Sequence, residues 1–233
     1  MKVAIIAAAG IGKRIGGQGK QYLLLRNEPL LAHTLRVFQE CSIIEQIIVV
    51  NNKEDMARCQ SLVSSYQFDK VKQIVEGGKE RQDSVASALG VLPGQTEIVA
   101  VHDGARPLIS PEIIERSFAE LGNWDGVVVG VPVKDTLKQV EDKKIVKTLD
   151  RQNIWHIQTP QIFQTDLLIK AYQKAKDDGF CGTDDAALME RMDCRIGVVL
   201  GSYENVKITT PEDLVIAEAI LARRAENPTS DLR

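Results

Sequence analysis

Two stretches of the sequence hold residues whose types and spacing could do phosphate chemistry. The first is Ala7-Ala8-Ala9-Gly10-Ile11-Gly12-Lys13-Arg14-Ile15-Gly16-Gly17-Gln18-Gly19-Lys20-Gln21-Tyr22. Small residues and glycines let backbone amides approach a polyphosphate, and clustered amides form an anion-binding concavity. The first 27 residues carry five basic residues (Lys2, Lys13, Arg14, Lys20, Arg26) and no acid. In a chain of net charge -3, that asymmetry points to a local anionic ligand. The alternative is a glycine-rich turn with solvated basic residues. Cations with no carboxylate among them repel each other unless an anion is present, which favours the ligand.

The second stretch is Glu97-Ile98-Val99-Ala100-Val101-His102-Asp103-Gly104-Ala105-Arg106-Pro107. Here an acid ends an apolar run that reads as a buried strand. Ligands of open α/β sheets sit at the carboxyl ends of strands. Asp103 is therefore placed to hold Mg²⁺, which takes a few carboxylates plus substrate phosphates. A lone aspartate is also a common turn or cap residue; Arg106, three residues on, favours an anion site.

Familiar alternatives fail on spacing. A dinucleotide fingerprint G-x-G-x-x-G needs glycine where Ile15 stands. A Walker A loop needs glycine at Arg14 and Ser or Thr at Gln21. None of the three histidines (His33, His102, His156) forms a recognisable pair with a nucleophile, so each reads as a packing or hydrogen-bonding residue.

Buried strands and the helices between them must position these groups. Apolar, often β-branched runs predict strands at Val3–Ala8, Gln46–Asn51, Lys72–Val75, Glu97–His102, Gly126–Val131, Arg195–Leu200 and Asn205–Ile208. Helices are expected at Pro29–Glu40, Asp55–Tyr66, Arg81–Val91, Pro111–Leu121, Thr165–Lys176, Asp184–Met192 and Pro211–Arg224. Ser110-Pro111 and Thr210-Pro211 each supply an N-cap followed by proline at the first helical position. Alternation of this kind implies an α/β fold, a doubly wound and mostly parallel sheet.

Between Pro132 and Gln158 the rhythm breaks. Lys134–Val140 and Lys144–Leu149 alternate polar and apolar residues around Glu141-Asp142-Lys143, the pattern of an exposed β-hairpin. It reads either as a dimer arm or lid, or as an ordinary surface hairpin. Residues 1–226 are expected to form one domain, with 132–158 as the arm and 227–233 as a polar tail.

The 233 residues are 44% apolar and 26% charged, ordinary for a globular domain and against a disordered chain. The net acidic balance and only eleven aromatic residues argue against nucleic-acid binding. No apolar stretch is long enough to span a membrane. Cys41, Cys59, Cys181 and Cys194 are widely spaced and read as reduced thiols of a cytoplasmic protein.

Taken in order, several pieces carry a resemblance: Ala8-Ala9-Gly10-x-Gly12-x-Arg14 with Lys20-Gln21-Tyr22, Gly77-Gly78-x-Glu80-Arg81-x-x-Ser84-Val85, Val101–Pro107, Asp150-Arg151, Gln158-Thr159-Pro160-Gln161, Thr183-Asp184-Asp185-Ala186 and Lys207-Ile208-Thr209. Together they resemble the 2-C-methyl-D-erythritol 4-phosphate cytidylyltransferase family over nearly the whole chain. The resemblance implies a nucleotide-diphospho-sugar transferase-like fold with a protruding β-arm, a homodimer through that arm, CTP and methylerythritol phosphate as substrates, and Mg²⁺. It implies catalytic roles for Arg14, Lys20 and Lys207, and nucleotide contacts from Ala8, Ala9, Gly10, Gly12, Gly78, Ser84 and Asp103. Asp103, Arg106, Thr159 and Thr183 would serve the methylerythritol phosphate side. Thr136 and Arg151 would reach the partner's substrate from the arm, and Asp103 would serve the metal. Gly19 stands where the family usually has proline. Two other readings stay open on these residues: a ribitol 5-phosphate cytidylyltransferase, and a nucleotide-binding module without turnover.

Overall fold

A computed structural model of the chain describes residues 1–10 and 19–226. Eleven strands and seven α-helices alternate in the described residues: β1 Lys2–Ala7, β2 Leu24–Leu25, β3 Glu28–Pro29, α1 Leu30–Glu40, β4 Gln46–Asn51, α2 Met56–Ser65, β5 Val71–Glu76, α3 Arg81–Leu89, β6 Ile98–Asp103, α4 Pro111–Glu120, β7 Gly126–Pro132, β8 Leu137–Glu141, β9 Lys144–Leu149, β10 Trp155–Gln164, α5 Thr165–Asp177, α6 Asp185–Glu190, β11 Ile196–Leu200 and α7 Pro211–Glu226. A seven-stranded sheet has the order β11-β7-β10-β6-β1-β4-β5. Its neighbouring strands pair in parallel except around β10, which runs antiparallel to both β6 and β7.

The continuous apolar runs follow from burial on both faces. In β1, Ala4 and Ile6 enter one core cluster, with residues of α1, α2 and α4. Val3 and Ile5 enter the other, with residues of α3, α5 and α6. Alternate side chains point to opposite faces, so a strand covered by helices on both sides needs apolar residues at every position. This is the three-layer, doubly wound α/β architecture expected from the sequence. No helix among the described residues is long and apolar enough to cross a membrane.

The expected strands and helices are present with shifts at their ends, with two exceptions. Asn205–Ile208 is not a strand but an irregular loop. Its Ile208 N–H donates to the carbonyl of Ala105 (2.8 Å), and the buried Asn205 side chain ties it to β10. The strand β10 had no counterpart in the sequence reading. Its Trp155-His156-Ile157-Gln158-Thr159-Pro160-Gln161 start is polar and contains a proline, and the register shifts between Gln158 and Gln161. The buried polar residues Gln158, Thr159 and Gln161 are tolerated there because each is hydrogen-bonded to a neighbouring element or loop.

The hairpin forms as read. β8 and β9 pair with each other as a separate two-stranded sheet. Asp142 and Lys143 both take positive φ, 45° and 65°, as a tight two-residue hairpin turn requires.

Candidate active site

The carboxyl ends of β1, β4, β5 and β6 open on one cleft of about 650 Å³. It lies where the chain reverses its direction of sheet growth, with β4 on one side of β1 and β6 on the other. Open α/β sheets bind ligands at such a switch point. Its walls include Ala8, Ala9, Gly10, Lys20, Gly78 and Ser84, and its floor includes Asp103 and Lys207.

Lys20 opens a short 3-10 turn, Lys20–Tyr22. Gly19 before it has φ 86°, a conformation open to glycine and closed to proline. The usual proline of the family could not occupy this backbone, so the departure at Gly19 is matched by the loop's geometry. The turn is held from behind. Gln21 donates to Asn51 (3.1 Å) and Asp55 (3.2 Å), Asn51 donates to the Tyr22 hydroxyl, and the Arg58 guanidinium lies 4.2 Å from the Tyr22 ring centre.

Gly77 and Gly78 lead into α3. A β-carbon on Gly77 would stand 2.5 Å from Ala9 Cβ and 2.8 Å from Ser84 Oγ, so only glycine lets this loop approach the first one. The Ser84 hydroxyl accepts from the Gly78 N–H (3.2 Å) and donates to the Glu80 carbonyl (3.1 Å).

Asp103 gathers three cations. Arg81 Nε stands 3.2 Å from Oδ1, while Arg106 Nε (3.4 Å) and Lys207 Nζ (2.8 Å) face Oδ2. Burial alone would raise the pKa of this carboxyl. The charges of Arg81, Lys207 and Arg106 outweigh burial and hold it far below the usual carboxylate range. Behind it, the Thr159 hydroxyl accepts the Asp103 N–H at 3.0 Å. His102 Nε2 stands 3.1 Å from the Arg106 carbonyl, which can only accept, so this nitrogen carries the hydrogen. Nδ1 is then the acceptor for the Thr159 hydroxyl, 3.0 Å away. Burial pushes His102 down to about 4, so the ring is neutral near pH 7 and serves as a spacer, as the sequence implied.

The loop that carries Lys207 is pinned on both sides. Asn205 Nδ2 donates to the Thr159 carbonyl (2.9 Å), and Arg106 Nη1 donates to the Asn205 carbonyl (2.7 Å). At its far end the Asp213 carboxylate accepts the N–H groups of Thr209 and Thr210, both at 2.8 Å, where α7 begins.

The cleft thus unites Ala8, Ala9, Gly10, Lys20, Gly78, Ser84, Asp103 and Lys207, with Arg106 and Thr159 immediately behind Asp103. Gly12 and Arg14 lie outside the described residues. Thr183 is exposed, just ahead of α6, and outside the cleft lining. Thr136 and Arg151 lie at the arm, where the Arg151 guanidinium donates to the Lys134 carbonyl. Sequence reasoning assigned no role to Arg81, Asp185, Gln161 or Asn205. Arg81 and Asp185 stood inside the motif pieces, but an ion pair across 104 residues has no signature in spacing.

Among the described residues no three His, Cys, Asp or Glu side chains cluster as a metal site. Asp103 fits Mg²⁺ only in company. One carboxylate facing three cations would accept a divalent ion only alongside substrate phosphates that bring compensating charge, the way Mg²⁺ is commonly bound.

Gly10, Lys20, Asp103 and Lys207 on one cleft at the carboxyl ends of β1 and β6 agree with a nucleotidyltransferase, the class to which the matched family belongs. The signature of the family 2-C-methyl-D-erythritol 4-phosphate cytidylyltransferase, IspD, matches residues 2–223. A protein of that name from Alkaliphilus metalliredigens is 46% identical over 225 residues, 95% of this chain and 93% of the relative. One from Bacillus cereus is 45% identical, covering 95% and 98%. The crystal structure of 4-diphosphocytidyl-2C-methyl-D-erythritol synthase from Anaerococcus prevotii superposes with a TM-score of 0.85 at 32% identity, covering 96% of each chain. The chain belongs to the 2-C-methyl-D-erythritol 4-phosphate cytidylyltransferase family.

Proposed function

We propose that the cleft joins CTP and 2-C-methyl-D-erythritol 4-phosphate, giving 4-diphosphocytidyl-2-C-methyl-D-erythritol and pyrophosphate in non-mevalonate isoprenoid biosynthesis. A phosphate monoester has its second pKa at about 6, so it is already a nucleophile at neutral pH and needs no general base. One of its oxygens attacks the α-phosphorus of CTP. The bond from that phosphorus to the bridging oxygen breaks, and pyrophosphate leaves with the electron pair. What the reaction demands is relief of repulsion between two polyanions, which Lys and Arg clamps provide.

In this reading Lys20 and Arg14 neutralise the CTP phosphates, and Lys207 stabilises charge on the transferring group. Ala8, Ala9, Gly10 and Gly12 contact the nucleotide. Gly78 and Ser84 read the cytosine and ribose. Arg106, Thr159 and Thr183 serve the methylerythritol phosphate with Asp103. Asp103 would also hold Mg²⁺ together with substrate phosphates, and the ion would supply further positive charge to the transfer. Residues 1–226 act as one nucleotidyltransferase domain in the cytoplasm, a compartment that agrees with four free cysteine thiols. The arm, residues 132–158, joins two copies and delivers Thr136 and Arg151 to the neighbouring site.

The observation that carries this reading is the convergence of Lys20, Asp103 and Lys207 on one cleft in a chain matched by the family from residue 2 to 223. Pyrophosphate release tests it. CTP with methylerythritol phosphate should turn over, EDTA should abolish turnover, and ATP, GTP or ribitol 5-phosphate should be poor replacements. Equal rates with ATP, or full activity in EDTA, would contradict it.

A further inference from the structure

Asp103 is shared unequally. Its Oδ1 faces Arg81, and its Oδ2 faces Arg106 and Lys207. Two of the three cations have second anchors. Arg106 also donates to the Asn205 carbonyl, and Arg81 donates through Nη2 to Asp185 Oδ2 at 2.8 Å. Lys207 has Asp103 as its one ion-pair partner among the described residues, and its side chain is 37% exposed at the cleft floor. Lys207 is therefore the cation that an incoming phosphate can draw away.

Asp185 is built to hold Arg81. It is fully buried at the first turn of α6 and does not line the cleft. The Tyr172 hydroxyl of α5 donates to its Oδ1. Gln161 of β10 accepts the N–H groups of Asp185 and Ala186, both at 3.1 Å, and donates to Asp184 (2.7 Å). Arg81 itself starts α3 behind a reciprocal cap, in which the Glu80 and Asp83 side chains each accept the other's backbone N–H. Asp185 is thus fixed by elements outside the cleft, and Arg81, which lines the cleft beside Glu80, is fixed by the capped start of α3.

We propose that Arg81 is a positioning residue for the cytidylyl transfer: forked between Asp103 and Asp185, it pins Asp103 so that Lys207 can exchange from Asp103 to a substrate phosphate. The inference rests on the function proposed above. Without Arg81, Asp103 would keep only Arg106, at 3.4 Å, once Lys207 left. A buried carboxylate so weakly compensated holds its remaining cation, and Lys207 would stay on Asp103. A lysine cannot replace the fork, because one ammonium cannot serve two separate carboxylates with fixed, divergent donors.

The test is a cycle of Arg81→Gln, Asp185→Asn and their double variant, with Arg81→Lys beside them. Each is read by kcat, KM for CTP and Tm. Arg81→Gln should lower kcat roughly 10²-fold, the scale of a misplaced catalytic group, with KM for CTP within about twofold. It should also lower Tm, because Asp185 is left buried and unpaired. Adding Asp185→Asn removes that orphan charge, so Tm should recover while kcat stays low. Arg81→Lys, which keeps the charge and the fold, should still lower kcat roughly tenfold. Recovery of kcat in step with Tm would make Arg81 merely structural. A raised KM with kcat preserved would make it a CTP ligand. Either result, or wild-type kcat in Arg81→Lys, overturns the inference alone. An inactive wild-type protein with CTP and methylerythritol phosphate overturns the functional reading and the inference together.

Discussion

The floor of the cleft and the β8–β9 arm are opposites. At the floor and directly behind it, Asp103, Thr159, Gln161, Asp185 and Asn205 are all buried, and each is bonded to neighbours from other elements. On the arm, every residue of the two strands is exposed except Leu137 and Leu149, which are half-buried. Val140, Ile145 and Val146 are 53%, 59% and 50% exposed. A lone two-stranded hairpin is marginal in water, and clustered exposed apolar side chains mark an interaction surface. The edge strand β11 adds Val198 and Leu200 to the exposed apolar residues. The floor is finished within one chain. The arm is not, and in the function proposed above a twofold-related copy covers it and receives Arg151 at its site.

The contrast breaks most sharply at the cations. Lys20→Ala and Lys207→Ala should each lower kcat by roughly 10²–10³, the cost of removing a donor aimed at transition-state charge. Steady-state kinetics checks this, and a loss confined to KM would mean uniform substrate binding instead. Tm of Lys207→Ala should stay close to wild type, since its side chain is partly exposed and Arg81 and Arg106 remain on Asp103.

A smaller effect separates packed glycines from open ones. Gly77→Ala puts a methyl 2.5 Å from Ala9 Cβ, so it should cost about 1–3 kcal/mol and weaken CTP binding through Gly78 and Ser84. Gly94→Ala meets nothing within 4 Å and should be silent. Urea titration and calorimetry with CTP read both. The smallest effect on the fold belongs to the arm. Replacing Val140, Ile145 and Val146 with polar residues should change chain stability by about 0.5 kcal/mol or less per site, yet shift the protein to monomer in equilibrium sedimentation. An unchanged dimer would place the interface elsewhere.

How much of this was legible in the sequence follows from the range of each signal. β1, β4, β6 and β7 were plain, because burial on both faces demands unbroken apolar runs. The helices begun by Pro111 and Pro211 were plain from their proline-marked starts. The hairpin was plain from its alternation around Asp142 and Lys143. β10 was hidden, because its polar start breaks the apolar pattern that marks a strand. Asn205–Ile208 misled for the opposite reason: its alternating apolar residues pack on a loop, where Ile208 is buried against Leu25, Leu30 and Leu108. Lys20 and Asp103 could be proposed from local chemistry. Lys207 carried meaning only through the resemblance, and Arg81 with Asp185 only once the fold brought α3 and α6 together.

The central claim is that floor and arm make one site across two chains, and subunit complementation tests it most directly. An Arg151→Ala chain and a Lys20→Ala chain, each nearly inactive alone, are mixed under conditions where exchange is demonstrated. Random mixing makes about half of the dimers heterodimers, and in each of these one of two sites joins a wild-type Lys20 to a wild-type Arg151 from the partner. Activity should rise to roughly a quarter of wild type. If exchange occurs and activity stays at the level of the two single variants, Arg151 does not act across the interface and the arm serves assembly alone.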